Sequence, residues 1–172
     1  MIEEDKDLLL KDLSARFPYG IKGQVTIEVP DGKAYDINSG HLEYKDIDVD
    51  VELLGIQEEE IIVLAIDDKY TEIVETFSFL YSDFTPYLRP LLSITENERK
   101  ELIQKNICIN LFGNNSFKTC KYFGNIWEEP PLDFDDWFTL IDWFNKHHFD
   151  YRGLIEKNLA IEISDENNPY KE

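Results

Sequence analysis

Two adjacent histidines, His147 and His148, stand just ahead of Asp150, with Tyr151 and Arg152 following. A carboxylate beside an imidazole can orient the ring for general-base work or metal binding, because it fixes which nitrogen carries the proton. An enzymatic or small-ligand site would therefore be sought at His147, His148, Asp150, Tyr151 and Arg152. The spacing favours something plainer. Adjacent residues on a helix point about 100° apart, so both rings do not easily ligate one ion, and the remaining histidine is the distant His41. Imidazoles at a helix C-terminus suit the dipole and can complete the last carbonyls. No metal, cofactor or catalytic residue is assigned here.

A second constellation is the alternating run Asp46, Asp48, Asp50 and Glu52, interleaved with Ile47, Val49, Val51 and Leu53. Alternation puts the carboxylates on one face of a strand and the apolar residues on the other. Alternate carboxylates sit about 6.8 Å apart, too far for all four to wrap one calcium, and no EF-hand loop is present. Duplex DNA carries one charge per roughly 1.7 Å of axis. A single strand face supplies about a quarter of that density, so mimicry of DNA would also need Glu58, Glu59, Glu60 and the acids of residues 1–12. The plain alternative is a solvated sheet face whose charges discourage edge pairing.

Other chemistry is sparse. Cys108 and Cys120 are twelve apart with no CxxC element, which points to free structural thiols and makes a bridge between them the less favoured reading. No G-x-S-x-G, P-loop or G-x-G-x-x-G is present. Arg89 and Arg152 sit in turn-prone settings; each can meet a partner's carboxylate or phosphate. Internal pairing is the simpler expectation, with Asp150 or Glu156 beside Arg152.

The elements that must position these residues follow from periodicity. Asp5 to Phe17 predicts a short amphipathic helix with Asp5 as N-cap, stopped by Pro18 and Gly20. Gln24–Val29 and Lys33–Ile37 read as a hairpin about Pro30-Asp31-Gly32. Asp46–Ile56 is a half-buried strand, and the continuously apolar Ile61–Asp67 is expected to be central or buried on both faces. Thr71 to Ser82 leans to helix, and Pro86 to Pro90 is extended. Thr95, with Glu98 three residues on, starts the next helix as a capping box. Cys108 to Glu129 reads as loop with one short strand or hairpin. Phe134 to His148 is a helix burying Trp137, Leu140, Ile141 and Phe144, its apolar face widened by Phe134, Phe138 and Trp143. Tyr151–Leu159 follows as a short helix, Ala160–Ile163 as a short strand, and Ser164–Glu172 as a frayed tail.

Net charge is the strongest global signal: 36 acidic against 17 basic residues give −19, which repels nucleic acid and anionic lipid. Direct nucleic-acid binding is thus disfavoured. Residues 1–60 carry 16 acids against 6 bases and residues 121–172 carry 12 against 5, so both ends are acidic. The 23 aromatics among 172 residues predict one domain with an aromatic-rich core. No apolar run approaches the roughly 20 residues of a membrane span. The expected setting is a reduced cytoplasm.

Three segments, KDLLLKDLSARFPYG, PYLRPLLSIT and DWFNKHHFDYRGLIEKNLAIE, resemble in that order an uncharacterised family of short proteins from gut Bacteroidales and their phages and mobile elements. They cover about a quarter of the chain. Where that family has Gly after the Glu-Lys, this chain has Asn158, which suits a left-handed helix cap. The resemblance transfers no catalytic residue; it implies an intracellular bacterial or phage protein.

The expected fold is α+β, an antiparallel sheet of four to five strands in a β-hairpin meander, with an N-terminal helix and C-terminal helices packed on one face. Two functions remain open. One is a non-enzymatic acidic module meeting a basic protein partner through Asp46, Asp48, Asp50, Glu52, Glu58, Glu59 and Glu60, including a DNA-mimicking inhibitor of a host nucleic-acid-binding defence protein. The other is a ligand binder or enzyme at the histidine segment. Oligomeric state is not legible.

Overall fold

Leu9 and Leu13 lie one turn apart on the first helix, and the alternate residues Val25, Ile27, Val49, Val51, Leu53, Ile61, Val63 and Ala65 project from three strands to meet them. Burying each such leucine stabilises the fold by about 1.5–3 kcal/mol. The computed structural model describes residues 1–35, 42–74, 77–113, 116–123, 126–128 and 132–171. In order the elements are α1 (Glu3–Arg16), β1 (Lys22–Tyr35), β2 (Leu42–Gln57), β3 (Glu60–Ala65), α2 (Thr71–Val74), β4 (Phe79–Leu80), β5 (Thr85–Leu88), α3 (Glu96–Gln104), β6 (Ile107–Leu111), β7 (Phe117–Phe123), β8 (Ile126–Glu128), α4 (Phe134–Lys146) and β9 (Ile161–Glu162).

The chain is α+β. One sheet runs β4-β3-β2-β1-β5-β9 and a second runs β6-β7-β8. The β1–β2–β3 meander is antiparallel, and β9 adds a parallel edge strand against β5. Gly23 is needed where β5 crosses β1. A Cβ there would lie 2.5 Å from the Phe84 ring and from the Thr85 carbonyl oxygen.

Several local expectations are met. The Thr95 hydroxyl accepts from the Glu98 N–H at 3.3 Å while the Glu98 carboxylate accepts from the Thr95 N–H at 2.8 Å, a reciprocal capping box. Gly20 and Asn158 are left-handed, at φ of 68° and 58°. Others are corrected. The segment at Pro30 is not a hairpin turn: β1 continues through it, pairing Pro30 with Tyr44 and then shifting register before Tyr35. Only β2 flanks β1 there, since β5 pairs with Gly23 and Gln24 alone, and a proline is tolerated on a free edge. Ile37 of the expected second strand lies outside the described residues. The first helix begins at Glu3, ahead of Asp5, whose carboxylate instead takes Lys157 Nζ at 2.7 Å.

Other corrections come from tertiary contacts. Within 71–82, α-helix among the described residues covers Thr71–Val74, Phe79–Leu80 pairs with β3, and a 3-10 turn starts at Tyr81; Glu75 and Thr76 lie outside the described residues. The stretch from Cys108 to Glu129, expected as loop with one short strand or hairpin, contains all of the second sheet except Ile107. Tyr151–Leu159 is a series of turns with no helix. Phe134 and Phe138 are exposed and meet edge to face, Trp137 of the expected buried face is also exposed, and Trp143 is buried. In the tail, expected to be frayed, the Tyr170 hydroxyl accepts from the Lys22 N–H at 2.9 Å.

Two apolar clusters result. The first joins the large sheet to α1 and to Leu154, Leu159 and Ala160. The second joins α3, α4 and the small sheet around Leu102, Ile107, Ile109, Leu140, Trp143, Phe144 and Phe149. Between them lies a fully buried ion pair, Arg16 Nε to Asp12 Oδ2 at 2.6 Å, and a second Arg16 nitrogen donates to the Phe149 carbonyl at 2.7 Å. Asp12→Ala is expected to lower unfolding free energy by about 3–5 kcal/mol in urea titration, because it strands a buried guanidinium. Replacing the pair by Asp12→Leu with Arg16→Met is expected to recover most of that loss.

Candidate functional site

Helix α4 ends in backbone, not in imidazole. The N–H of His148 donates to the Asn145 carbonyl at 3.1 Å and that of Phe149 to the Phe144 carbonyl at 2.9 Å. With His148 left-handed at φ 56°, this is a Schellman closure. The rings expected to complete the last carbonyls are thereby released. His147 turns toward α3, with Nδ1 3.6 Å from Glu98 Oε1 and Nε2 3.5 Å from Glu101 Oε2. His148 turns the other way and stacks on Tyr170, with ring centroids 4.0 Å apart.

Both histidines line a cleft of about 750 Å³. Its other walls are Arg89, Ser93 and Thr95 from the segment before α3, Lys146 from α4, and Ile163, Ser164, Asp165, Asn168, Tyr170 and Lys171 from the tail. The rest of the expected histidine site does not reach it. Asp150 is buried, its two carboxylate oxygens accepting from the N–H groups of Leu154 and Ile155 at 2.9 and 2.8 Å. It organises the turn after it instead of orienting a histidine. Tyr151 stacks on Phe144 and donates to Asn145 Oδ1 at 3.0 Å. Arg152 approaches Asp12 Oδ1 at 3.5 Å, not Asp150 or Glu156.

Electrostatics in the cleft are set by burial and pairing. His148 is 8% exposed and its Nδ1 is buried without a hydrogen bond. Burial, with Arg16, His147, Arg89 and Lys22 nearby, pushes its pKa down to about 3, so the ring is neutral. Arg89 makes a two-point pair with Glu98, at 2.6 and 3.1 Å, and lies 4.2 Å above the Phe149 ring. Burial raises the Glu98 carboxyl, but hydrogen bonds from His147, Arg89 and Thr95 outweigh it and hold the group well below the usual carboxylate range. Arg89 is thus internally paired, as expected of a scarce cation in an acidic chain.

The acidic row lies on the opposite kind of surface, an open sheet face. Asp46, Asp48 and Asp50 are exposed and Glu52 is half-buried. Across β1 they face Glu28, Thr26, Gln24 and Lys22 in turn. Thr26 Oγ1 donates to Asp48 Oδ1 at 2.8 Å, and the Tyr87 hydroxyl and Gln24 amide donate to Asp50 Oδ1 at 2.7 and 3.0 Å. Glu58, Glu59 and Glu60 are exposed at the β2–β3 turn, beyond a register shift between Leu53 and Gly55. The structure therefore separates the seven acids into a row on β2 and a group at one end.

Sequence reasoning missed what stands beside that row. β3 is buried on one face only, and Ile62, Leu64 and Ile66 are 54%, 40% and 44% exposed on the other. Leu64 pairs with Glu52, and the Ile66 N–H donates to the Asp50 carbonyl. An exposed apolar strip thus flanks the Asp50–Gly55 end of the carboxylate row, while Asp46 and Asp48 lie past the end of β3. A continuous apolar run carries no sign of which half is buried, so no sequence signal marks it. Lys146, Tyr170 and Lys171 were missed because only chain closure brings the tail to the end of α4.

Among the described residues no group of three or more His, Cys, Asp or Glu is placed to hold a metal ion, and no helix is long and apolar enough to cross a membrane. Comparison of the chain with protein-family models, curated proteins and solved structures returns no match.

The buried neutral imidazole has a consequence for pH. An unfolded histidine takes a proton below about pH 6.5 while folded His148 stays neutral down to about 3. The unfolded chain then binds more protons across that window, so stability falls as pH drops through it, by at most about 1.4 kcal/mol per unit. His148→Asn keeps a residue that tolerates the left-handed backbone. Its urea midpoint should change less between pH 6.5 and 5 than that of the wild type.

Proposed function

We propose that this chain is a non-enzymatic interaction module whose docking surface is the open face of β2 and β3, and that its partner is a basic protein. One observation carries the reading: the exposed carboxylates of Asp46, Asp48 and Asp50 form a row along β2 that runs into exposed Ile66, Leu64 and Ile62 at its Asp50 end. Charge alone would suit any cation. An apolar strip alongside it suits a protein whose lysines or arginines flank an apolar stretch, because long-range attraction steers the encounter and apolar burial retains it. The resemblance noted above adds a bacterial or phage setting to this proposal, in which the partner would be a host nucleic-acid-binding protein. DNA mimicry is the narrower form of the same idea.

The test compares retention of basic proteins from a bacterial lysate by the wild type, by D46K/D48K/D50K, and by E3K/E4K/D7K, which reverses equal charge on α1. The expected outcome is one specific basic protein retained by the wild type and the α1 variant and lost with the β2 variant. Leu64→Asp should weaken retention at least tenfold. Equal loss in both reversals would reduce the interaction to net charge and sink the docking face. Competition by duplex DNA for the purified partner separates mimicry from a surface that merely binds elsewhere on it.

A second reading, a small-ligand site, draws on the cleft lined by His147 and His148 and on the unpartnered Nδ1 of His148. Its volume lies within the range of ligand pockets, about 300–1,000 Å³, and Lys146 in its wall favours an anionic ligand, whereas Arg89 is paired with Glu98 and Lys171 with Asp165. Inorganic phosphate or a phosphate monoester should raise the thermal midpoint of the wild type and leave K146E/K171E unmoved. An equal shift in both, or none in either, removes this reading.

A further inference from the structure

β6 and β7 place the two cysteines of the chain directly opposite one another. Cys108 pairs with Cys120 in an antiparallel register that runs from Ile107↔Lys121 to Leu111↔Phe117 without a shift. Directly opposed residues of such a pair have Cα atoms about 4.5 or 5.5 Å apart, depending on whether they exchange hydrogen bonds. Both separations fall within the roughly 4.4–6.8 Å that a disulfide spans. Side chains of opposed residues also leave the sheet on the same face. The twelve-residue sequence separation hid this, because the intervening turn had to be known before the register was.

The two thiols are unequal. Both are free; Cys120 is buried, whereas Cys108 is half-buried and opens on a second cleft, about 210 Å³, formed between α3 and β6. Arg99 and Lys100 of α3 stand in its wall with Cys108, Glu96 also lies there, and Arg99 Nη1 donates to the Ile109 carbonyl at 3.2 Å. A small disulfide carrying carboxylates that approaches Cys108 meets two cations against one carboxylate; Cys120 is buried.

We propose that Cys108 and Cys120 form a cross-strand dithiol site that a low-molecular-weight anionic disulfide converts to an intramolecular disulfide, with Cys108 attacking first and Cys120 resolving. In the first step Cys108 loses its proton to solvent and its thiolate attacks one sulfur of the small disulfide. A mixed disulfide forms and one small thiolate leaves. In the second step the Cys120 thiolate attacks the Cys108 sulfur, forming the protein disulfide and expelling the other small thiolate. Two protein thiols are oxidised by two electrons, and the reagent is reduced to two thiols, which take up the two protons released. Burial, followed by the adjacent Cys120 thiol, pushes the Cys108 thiol up to about 12. The reactive thiolate is therefore scarce at neutral pH, and the first step should quicken about tenfold per pH unit between 7 and 9.

The experiment incubates the folded wild-type chain with oxidised glutathione and follows intact mass, with peptide mapping of the product. The expected product has lost two hydrogens, carries no glutathione and links Cys108 to Cys120. Cys120→Ser should stop at one glutathione on Cys108. Cys108→Ser should remain unmodified unless denatured. A lasting glutathione adduct on the wild type, covalent dimers in place of the internal bridge, or two free thiols after equilibration with excess oxidised reagent would each overturn the proposal. Reaction of folded Cys108→Ser as fast as the wild type would overturn the order of attack. The wild-type mass stands as a readout even if a serine variant fails to fold.

Discussion

The buried guanidinium of Arg16 is the contact on which the arrangement of the two apolar clusters depends. A charge at 0% exposure is tolerated only when it is paired. Here Asp12, one turn earlier on α1, accepts from Nε and Nη2 and the Phe149 carbonyl accepts from Nη2, while Nη1 is buried without a hydrogen-bond partner among the described residues. The first contact belongs to the cluster on the large sheet and the second to the cluster around α4. From the other side Arg89 holds the same stretch: its N–H donates to the His148 carbonyl, its carbonyl accepts from the Asp150 N–H, and its guanidinium lies over Phe149. Residues 148–150 are therefore gripped between two arginines from distant parts of the chain. Helix α1, the stretch from Arg89 to Ser93 and the chain following α4 meet at this joint.

The joint also decides what the histidines can do. Because residues 148–150 run as an extended bridge beside Arg89, α4 must stop abruptly, and it does so with a left-handed residue and two backbone hydrogen bonds. His147 and His148 consequently diverge, one toward the carboxylates of α3 and the other under Tyr170. Asp150, which seemed from its spacing to serve a histidine, spends both oxygens on the backbone of the next turn. What remains open is a cleft whose walls come from the arginine joint and the tail.

The β1–β2–β3 part of the large sheet is covered on one face, whereas β5 is buried on both. Helix α1 and the turns at 154–160 occupy the inner face, so Val49, Val51 and Leu53 are buried while Asp46, Asp48 and Asp50 meet solvent. The same geometry exposes Ile62, Leu64 and Ile66 on the neighbouring strand. The apolar strip meets the Asp50 end of the acidic row because antiparallel pairing sets Leu64 against Glu52 and Ala65 against Val51, and β3 keeps an unbroken alternation since the extra residue of the shift, Leu54, belongs to β2.

Patterns confined to a few consecutive residues were readable in the chain itself. The alternation of Asp46 to Leu53 placed its acids and its core, Thr95 with Glu98 marked a helix start, and Asn158 marked a left-handed turn. Each depends on local backbone geometry, with periods of 2 or 3.6 or a fixed capping offset. The carry-through of β1 past Pro30, the one-sided burial of β3, the turns in place of a helix at 151–159 and the second sheet within 107–128 depend instead on partners far along the chain. So do the cleft beneath the tail and the facing of Cys108 and Cys120. Local sequence restricts what a segment can form, but burial and strand register are properties of pairs of segments, and only the tertiary structure brings those pairs together.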